Sequence, residues 1–428
     1  MQVTRVRVAN YRNYELCELA LTPGRNIFVG ENAQGKTNLL EAIELLSTGK
    51  STRANQDLEL IRWGSQVMIA ELDFTSRGSG QSLRIALSNA PAERGIAPKS
   101  TRLEKQVSVN GVHQKGTADL LGRLLVVSFN SNDLNLLRGG PKYRRDWLDS
   151  LILKLKPAVQ EYFVNYRKSV AQRNRLLRSI FEHGKVTVTD QDQLLVWDKQ
   201  VSRFGARIIK QRLHVLSQLL PLAEEHQSRI SREQEALTIK YMFKAADTEQ
   251  NFSDDESSEE TPGSAESVST GPLNAVQLAA MEEVDIATTL MKLLKEKRFE
   301  EIRRKQTLLG PHRDDLTFFL NGADAGSFAS QGQQRSIVLS LKLAELSLIK
   351  QVVDECPVLL LDDVLAELDE FRQGLLMSVV ESNTQTVITT THITGFDPRW
   401  LEAASIFQVQ GGNVTGTSSN RFETTSAG

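Results

Sequence analysis

An α/β fold of mixed sheet and helices, with a helical lobe inserted into it, is expected from three observations on the 428-residue chain. Short apolar strands stand near both ends, at Asn26 to Val29 and again at Val358 to Leu361 and Thr386 to Thr390. The first of them runs through a glycine-rich turn straight into an amphipathic helix, the strand-to-helix unit of which parallel sheets are made. Over Arg144 to Arg178 and Gln191 to Arg229 the periodicity is helical, with few Gly and no strand signal except near Val186.

Composition narrows the class. Hydrophobic residues are 40% and charged residues 24%, enough apolar side chains for a sizeable core and ordinary for a soluble protein. No run approaches the roughly 18 to 20 apolar residues that span a bilayer. Met1 to Asn10 has no apolar stretch of the kind a secretory signal carries. Cys17 and Cys356 are the only cysteines, too few for a disulfide framework or a cysteine-based metal site. The expected location is the cytoplasm, with no membrane partner. The net charge of -2 is a misleading average, because Ala245 to Met291 holds eleven acids and no Lys or Arg. Without those 47 residues the remaining 381 carry +9, a basic body compatible with a polyanionic partner.

Along the chain, Val3, Val6 and Val8 alternate as in a strand, Tyr11-Arg12-Asn13-Tyr14 reads as a turn, and Leu16, Leu19 and Leu21 mark a second strand. After the strand at Asn26 to Val29, Leu39, Leu40, Ile43 and Leu46 recur at helical spacing, which predicts a helix over Thr37 to Ser47. Ile69 to Phe74, Leu83 to Leu87 and Gln106 to Val109 read as strands, the last before an Asn110-Gly111 hairpin signal. Leu124 to Phe129 reads as a buried strand. Asp247 to Gly271 is rich in Ser, Asp, Glu, Thr and Gly with a single Phe, a composition that predicts disorder. A strand at Leu316 to Leu320 and a helix from about Gln333 to Gln351 follow, and Thr415 to Gly428 reads as a loose tail.

The chemistry concentrates in two places. Gly30-Glu31-Asn32-Ala33-Gln34-Gly35-Lys36-Thr37 satisfies G-x-x-x-x-G-K-[ST] in full. Glycines at both ends let the backbone curl so that successive N–H groups face phosphate oxygens. Lys36 would reach the β and γ phosphates of a nucleotide, and the Thr37 hydroxyl would ligate Mg²⁺. The helix that opens there adds its N-terminal dipole. The second place lies far downstream, where Pro357 to Leu361 is an apolar strand ending in Asp362 and Asp363. A carboxylate at the tip of a parallel strand can hold Mg²⁺ beside such a loop, the role expected of Asp362. Asp363 would take a proton from attacking water. Between them, Ser330-Gln331-Gly332-Gln333-Gln334 opens a helix; alone it reads as a capping sequence, and free N–H groups at such a start can also bind an anion.

Taken together, the phosphate loop, the Ser330 helix start, the acidic strand and Ala366-Glu367-Leu368-Asp369 resemble the ABC-type, SMC-like ATPase heads. A narrower resemblance is to the bacterial RecF family of DNA repair proteins. It rests on Asp133 to Asp149, Asn10 to Tyr14, Ser51-Thr52-Arg53 and Gly310-Pro311-His312-Arg313-Asp314-Asp315, and runs from residue 1 to about 415. The resemblance implies heads that dimerise on ATP, each nucleotide lying between one subunit's phosphate loop and the other's Ser330, Gly332 and Gln333. It implies that Ala366 to Asp369 is the D-loop at the subunit boundary, that His392 is a switch histidine sensing the γ-phosphate, and that Arg12, Asn13 and Arg53 lie near the nucleotide. The catalytic set is then Lys36, Ser330, Gln333, Asp363 and His392, with Thr37 and Asp362 on the metal. Departures from the pattern are Asp363 where many such ATPases carry Glu, which implies slow hydrolysis, no Gln in Phe129 to Asp133, Asn132 in place of the usual Pro, and Trp147 in place of Phe or Tyr. No long heptad array is present, which excludes a full SMC arm.

The domain reading that follows is an ATPase lobe at 1–122, a helical lobe at 123–300 that includes the acidic insert at 247–271, the second half of the head at 301–415, and a flexible tail at 416–428. Lys142 to Arg178 has ten basic residues against three acids, net +7 over 37 residues, enough to neutralise DNA phosphates without reading bases. As in RecF-like proteins, the implied role is a weak, DNA-stimulated ATPase that clamps duplex DNA near single-strand junctions and works with RecR- and RecO-like mediators. It would help load the recombinase at gaps, supporting SOS induction and replication restart. Two rival readings are the nucleotide-binding subunit of a membrane transporter and an SMC-like chromosome-structural head.

Overall fold

The computed structural model describes residues 1–90, 102–243, 275–380, 384–394 and 396–417. The chain opens with β1 (Gln2–Tyr11), β2 (Tyr14–Ala20) and β3 (Arg25–Val29), which leads into α1 (Lys36–Thr48). α1 buries Leu39, Leu40, Ile43 and Leu46, the residues whose spacing predicts it, and is closed at both ends by Gly35 and Gly49 in the left-handed region. Then come β4 (Val67–Ser76), β5 (Ser79–Ala90), β6 (Arg102–Val109), β7 (Val112–Gln114) and β8 (Val126–Phe129). The middle of the chain is helical: α2 (Asn135–Arg138), α3 (Pro141–Leu155), α4 (Gln160–His183) and α5 (Val188–Ile230). The 43 residues of α5 make it roughly 65 Å long at the α-helical rise. It is started by a capping box between Thr187 and Asp190. β9 (Leu237–Met242), α6 (Ala275–Ala280), α7 (Glu283–Glu296) and α8 (Arg298–Arg304) precede β10 (Asp315–Leu320) and β11 (Ala323–Asp324). The remainder is α9 (Ala325–Phe328), α10 (Gln331–Val353), β12 (Val358–Asp362), α11 (Glu370–Val379), β13 (Thr386–Thr390), α12 (Pro398–Leu401), β14 (Ser405–Gln410) and β15 (Asn413–Thr417).

Two six-stranded sheets form the head. One is antiparallel, in the order β2-β1-β4-β5-β6-β7, and its strands alternate buried and exposed side chains. The other runs β15-β14-β3-β13-β12-β8 and is parallel apart from its β15 edge. Its central strands are apolar on both faces, with Ile27, Phe28, Val358 to Leu361, Val387 and Ile388 all buried. The helical lobe packs around α5, which lies against α4, α7 and α10.

Several expectations need correction. β8 lies beyond the lobe boundary expected at 122 yet completes the parallel sheet by pairing with β12, so the helical lobe begins after it. β9 was not expected; it pairs with β10, which also pairs with β11, in a small third sheet, and its alternation is only six residues long. Thr415 to Thr417, expected as tail, close the parallel sheet in β15, because the Gly411-Gly412 turn folds β15 back onto β14. Near Val186 there is a helix-to-helix turn and no strand. The acidic insert at 247–271 and the rest of the tail lie outside the described residues.

Candidate nucleotide site and nucleic-acid surface

The phosphate loop sits at the carboxyl end of β3, in the crevice where parallel sheets present their ligands. Both of its glycines are sterically required. A Cβ on Gly30 would meet the Val409 carbonyl oxygen at 2.3 Å, and Gly35, at φ 111°, would put one 2.5 Å from Asn13 Nδ2. Neighbouring elements hold the loop from outside. Asn13 Nδ2 donates to Gln34 O at 3.0 Å, Tyr14 OH to Gly35 O at 2.9 Å, and the Gly411 N–H to Gln34 Oε1 at 2.6 Å. Gly412 N–H adds a bond to Gln34 O at 3.1 Å. Glu31, Asn32 and Ala33 face solvent, with Ala33 at φ 64°. Lys36 is buried and its Nζ donates to Gly30 O at 2.7 Å and Glu31 O at 2.9 Å, so the ammonium lies folded across the mouth of the loop.

The fold closes a gap of 325 residues at the next atom: Thr37 Oγ1 donates to Asp362 Oδ1 at 2.8 Å. β12 is not the neighbour of β3; β13 lies between them, and Thr389 Oγ1 on β13 donates to the same Asp362 oxygen at 2.6 Å. A hydroxyl and a carboxylate at one point form a hard-oxygen set, which fits Mg²⁺ and not a softer metal. Asp363 follows in the left-handed region at φ 57°, and its N–H is held by Thr389 O and Oγ1, both at 3.1 Å. His392 is exposed two residues past β13, whose Thr390 pairs with Val29 at the end of β3. Its Nδ1 lies 2.9 Å from Thr391 Oγ1.

The other expected residues fall into different groups. Asn13 touches the loop directly, whereas Arg12 forms a bidentate pair with the buried Glu41 at 2.7 and 3.0 Å and Arg53 reaches Asn38 at 3.1 Å. Ser330 and Gln333 form a reciprocal capping box at the start of α10. Gln333 Nε2 donates to Glu235 at 2.9 Å, and neither residue bonds to its own chain's phosphate loop among the described residues. Residues that sequence reasoning missed are Tyr14, Thr389 and the Gly411-Gly412 turn. The turn alone left a visible sign, two glycines between apolar strands.

The basic segment divides into two populations. Arg144 is paired with Asp315, Lys154 with Glu345, and Arg173 with Asp198 and Glu301, while Arg145 donates to Asp314 O. These four are internal ties of the fold, the first two and Arg145 reaching partners beyond residue 313. Lys156, Arg167, Lys168, Arg175 and Arg178 are exposed or half-exposed with no ion pair among the described residues. At 100° per residue, the last four fall within roughly 100° of one face of α4. Lys142 is exposed but paired with Asp146.

No helix among the described residues is long and apolar enough to cross a membrane. Residues 2–414 match the model of the RecF/RecN/SMC N terminal domain. The chain is 37% identical over 424 residues to the DNA replication and repair protein RecF of Thermosynechococcus vestitus, covering 99% of this chain and 100% of that one. It is likewise 37% identical to the RecF of Acaryochloris marina, covering 97% and 99%. A solved structure of "the recombination mediator protein RecF-ATP in RecFOR pathway" superposes with a TM-score of 0.79 at 29% identity, covering 97% of this chain and 98% of that one. The Smc head domain of Pyrococcus furiosus shares the fold alone, at a TM-score of 0.50 and 11% identity over 97% of this chain and 96% of that one. The transporter and chromosome-structural readings are not favoured by these likenesses; the chain belongs to the RecF family of DNA replication and repair proteins, built on an SMC-like ATPase head.

Proposed function

We propose that the chain binds ATP with Mg²⁺ and uses it to close two copies around duplex DNA near single-strand junctions, slow hydrolysis then opening the pair. The observation that carries this reading is the meeting of Lys36, Thr37 and Asp362 at the end of the parallel sheet. The loop N–H groups and Lys36 would hold the phosphates, and Thr37 and Asp362 would hold the metal, which neutralises phosphate charge when bound. Asp363 would orient water, its short side chain favouring slow turnover. Ser330 and Gln333, at a helix start with no hydrogen bond to their own loop among the described residues, would complete the site of the other copy, with His392 sensing the γ-phosphate.

The exposed face of α4 would meet DNA backbone. In this reading residues 1–122 with β8 and residues 301–415 are the two halves of the head, and the lobe between them is the DNA-facing part. The work is cytoplasmic and DNA-stimulated, with RecR- and RecO-like mediators as partners in recombinase loading, SOS induction and replication restart. Sedimentation of the wild type and Lys36→Ala, with and without ATP and a gapped duplex, tests it. An ATP-dependent dimer that retains DNA, absent in Lys36→Ala, is the expected result; a monomer indifferent to ATP sinks the clamp.

A further inference from the structure

Between α5 and β9 the chain passes through Ser231 to Ala236 with two consecutive non-glycine residues in the left-handed region, Arg232 at φ 54° and Glu233 at φ 64°. They close α5, the Arg232 N–H bonding Arg229 O at 3.3 Å and the Glu233 N–H bonding Ser228 O at 2.7 Å, and so fix the course of the turn. This turn grips two helix starts. Glu235 Oε1 accepts Gln333 Nε2 at 2.9 Å, in the first turn of α10, and the Arg232 guanidinium lies 4.5 Å from the centre of the Phe371 ring, in the first turn of α11. α11 opens at Asp369, the last residue of the expected D-loop.

Glu235 is itself braced. Its N–H donates to Ser231 Oγ at 3.1 Å, and its second oxygen accepts Gln227 Nε2 at 2.7 Å. Gln227 is fully buried, and its Oε1 accepts the Ser340 hydroxyl at 2.7 Å, about two turns along α10 from Gln333. The Gln333 amide therefore has one orientation that satisfies both of its ends, with Oε1 on the Ser330 N–H and Nε2 on Glu235. That orientation leaves the first turn at Gln331 and Gly332 open, and a Cβ on Gly332 would meet nothing within 4 Å.

We propose that Glu235 is a positioning residue for the ATP reaction, fixing Gln333 and the open start of α10 in the attitude that meets a nucleotide held by a second copy. This rests on the reading above in which Ser330 and Gln333 act across the dimer. The carboxylate touches no nucleotide; it acts through Gln333. The phosphate loop lies elsewhere in the chain, so removing Glu235 leaves the chain's own nucleotide contacts intact.

The test combines two readouts on the full chain. Glu235→Ala is expected to raise hydrogen exchange across 330–334 in the nucleotide-free protein. It is also expected to lower kcat by about tenfold while KM for ATP stays within about twofold. Glu235→Gln, which keeps one of the two hydrogen bonds, recovers part of kcat. The double variant Glu235→Ala/Gln333→Ala turns over no more slowly than Gln333→Ala alone, because one side chain works through the other. Unchanged exchange in Glu235→Ala, or additive effects in the double variant, overturns the inference. A slow Gln333→Ala beside a Glu235→Ala of normal rate overturns it while leaving the dimer reading intact. A Gln333→Ala of normal rate overturns that reading, and the inference with it.

Discussion

Asp362 receives two hydroxyl hydrogen bonds on one oxygen, from Thr37 and Thr389, in segments brought together only by the sheet. Asp362→Asn keeps the size and removes the charge that a metal requires. It is expected to fold normally and still bind ATP through the loop, with turnover reduced by about 100-fold or more; turnover assays beside equilibrium nucleotide binding check it, and a normal rate would remove Asp362 from the site. His312 is a different kind of residue, spent on architecture. Its Nδ1 lies 2.6 Å from Tyr166 OH and its Nε2 3.1 Å from Thr307 O, so the neutral ring with hydrogen on Nε2 satisfies both. Burial pushes His312 down to about 4, with Arg313, Arg145 and Arg212 adding to the effect against the Thr307 carbonyl. The unfolded chain therefore binds a proton near 6.5 that the folded one refuses. Stability is complete above that pH and falls as pH drops toward 4, by about 1.5 kcal/mol between 6.5 and 5. Urea midpoints across that range should slope less in His312→Gln than in the wild type; equal slopes would refute the assignment.

The helical lobe is stapled by buried charge. Arg173 on α4 donates to Asp198 on α5 at 2.7 Å, to Glu301 on α8 at 2.6 Å and to Thr307 at 3.0 Å, and all three charged side chains are fully buried. Each ion is paired and hydrogen-bonded, which is what makes burial tolerable. Arg173→Met strands two carboxylates, although Arg298 still reaches Asp198 at 2.8 Å, and should cost on the order of 3–5 kcal/mol by denaturant titration. Arg173→Lys should recover only part of that, because an ammonium cannot serve three acceptors with a planar fork. A drop below about 1 kcal/mol for Arg173→Met would show that the lobe does not depend on the network. This is also why the ten basic residues from Lys142 to Arg178 overstate the free charge: Arg144, Arg145, Lys154 and Arg173 are consumed in internal pairs.

As a whole, the molecule sets its phosphate-loop motif at the end of one sheet and an exposed cationic helix face on the inserted lobe, with α5 packed against both α4 and α10. If the α4 face binds DNA, replacing Arg167, Lys168 and Arg175 by Gln should weaken binding for every sequence alike. The slope of log affinity against log salt should shrink by about 0.9 for each phosphate no longer neutralised. Arg144→Gln should instead lower stability with little change in that slope, since its charge is held by Asp315 at 2.8 Å. Binding curves at several salt concentrations decide it, and a slope unchanged by the triple replacement would move the DNA surface elsewhere.

The local features were legible in the chain because they obey local rules. Gly30 to Thr37 announces its loop through backbone sterics, the α1 helix through 3.6-residue spacing, and the buried strands through unbroken apolar runs. The family resemblance rested on the same short motifs, and the full-length likeness to RecF proteins agrees with it. Other features depend on which elements meet, and no spacing records that. Pairing distinguishes Arg173, a buried staple, from Arg175, an exposed cation two residues later. Pairing also placed β13 between β3 and β12, so that Thr389 shares Asp362 with Thr37, and it set Glu235 under Gln333. A hydrogen bond across 98 or 325 residues is fixed by packing, and packing is a property of the assembled core.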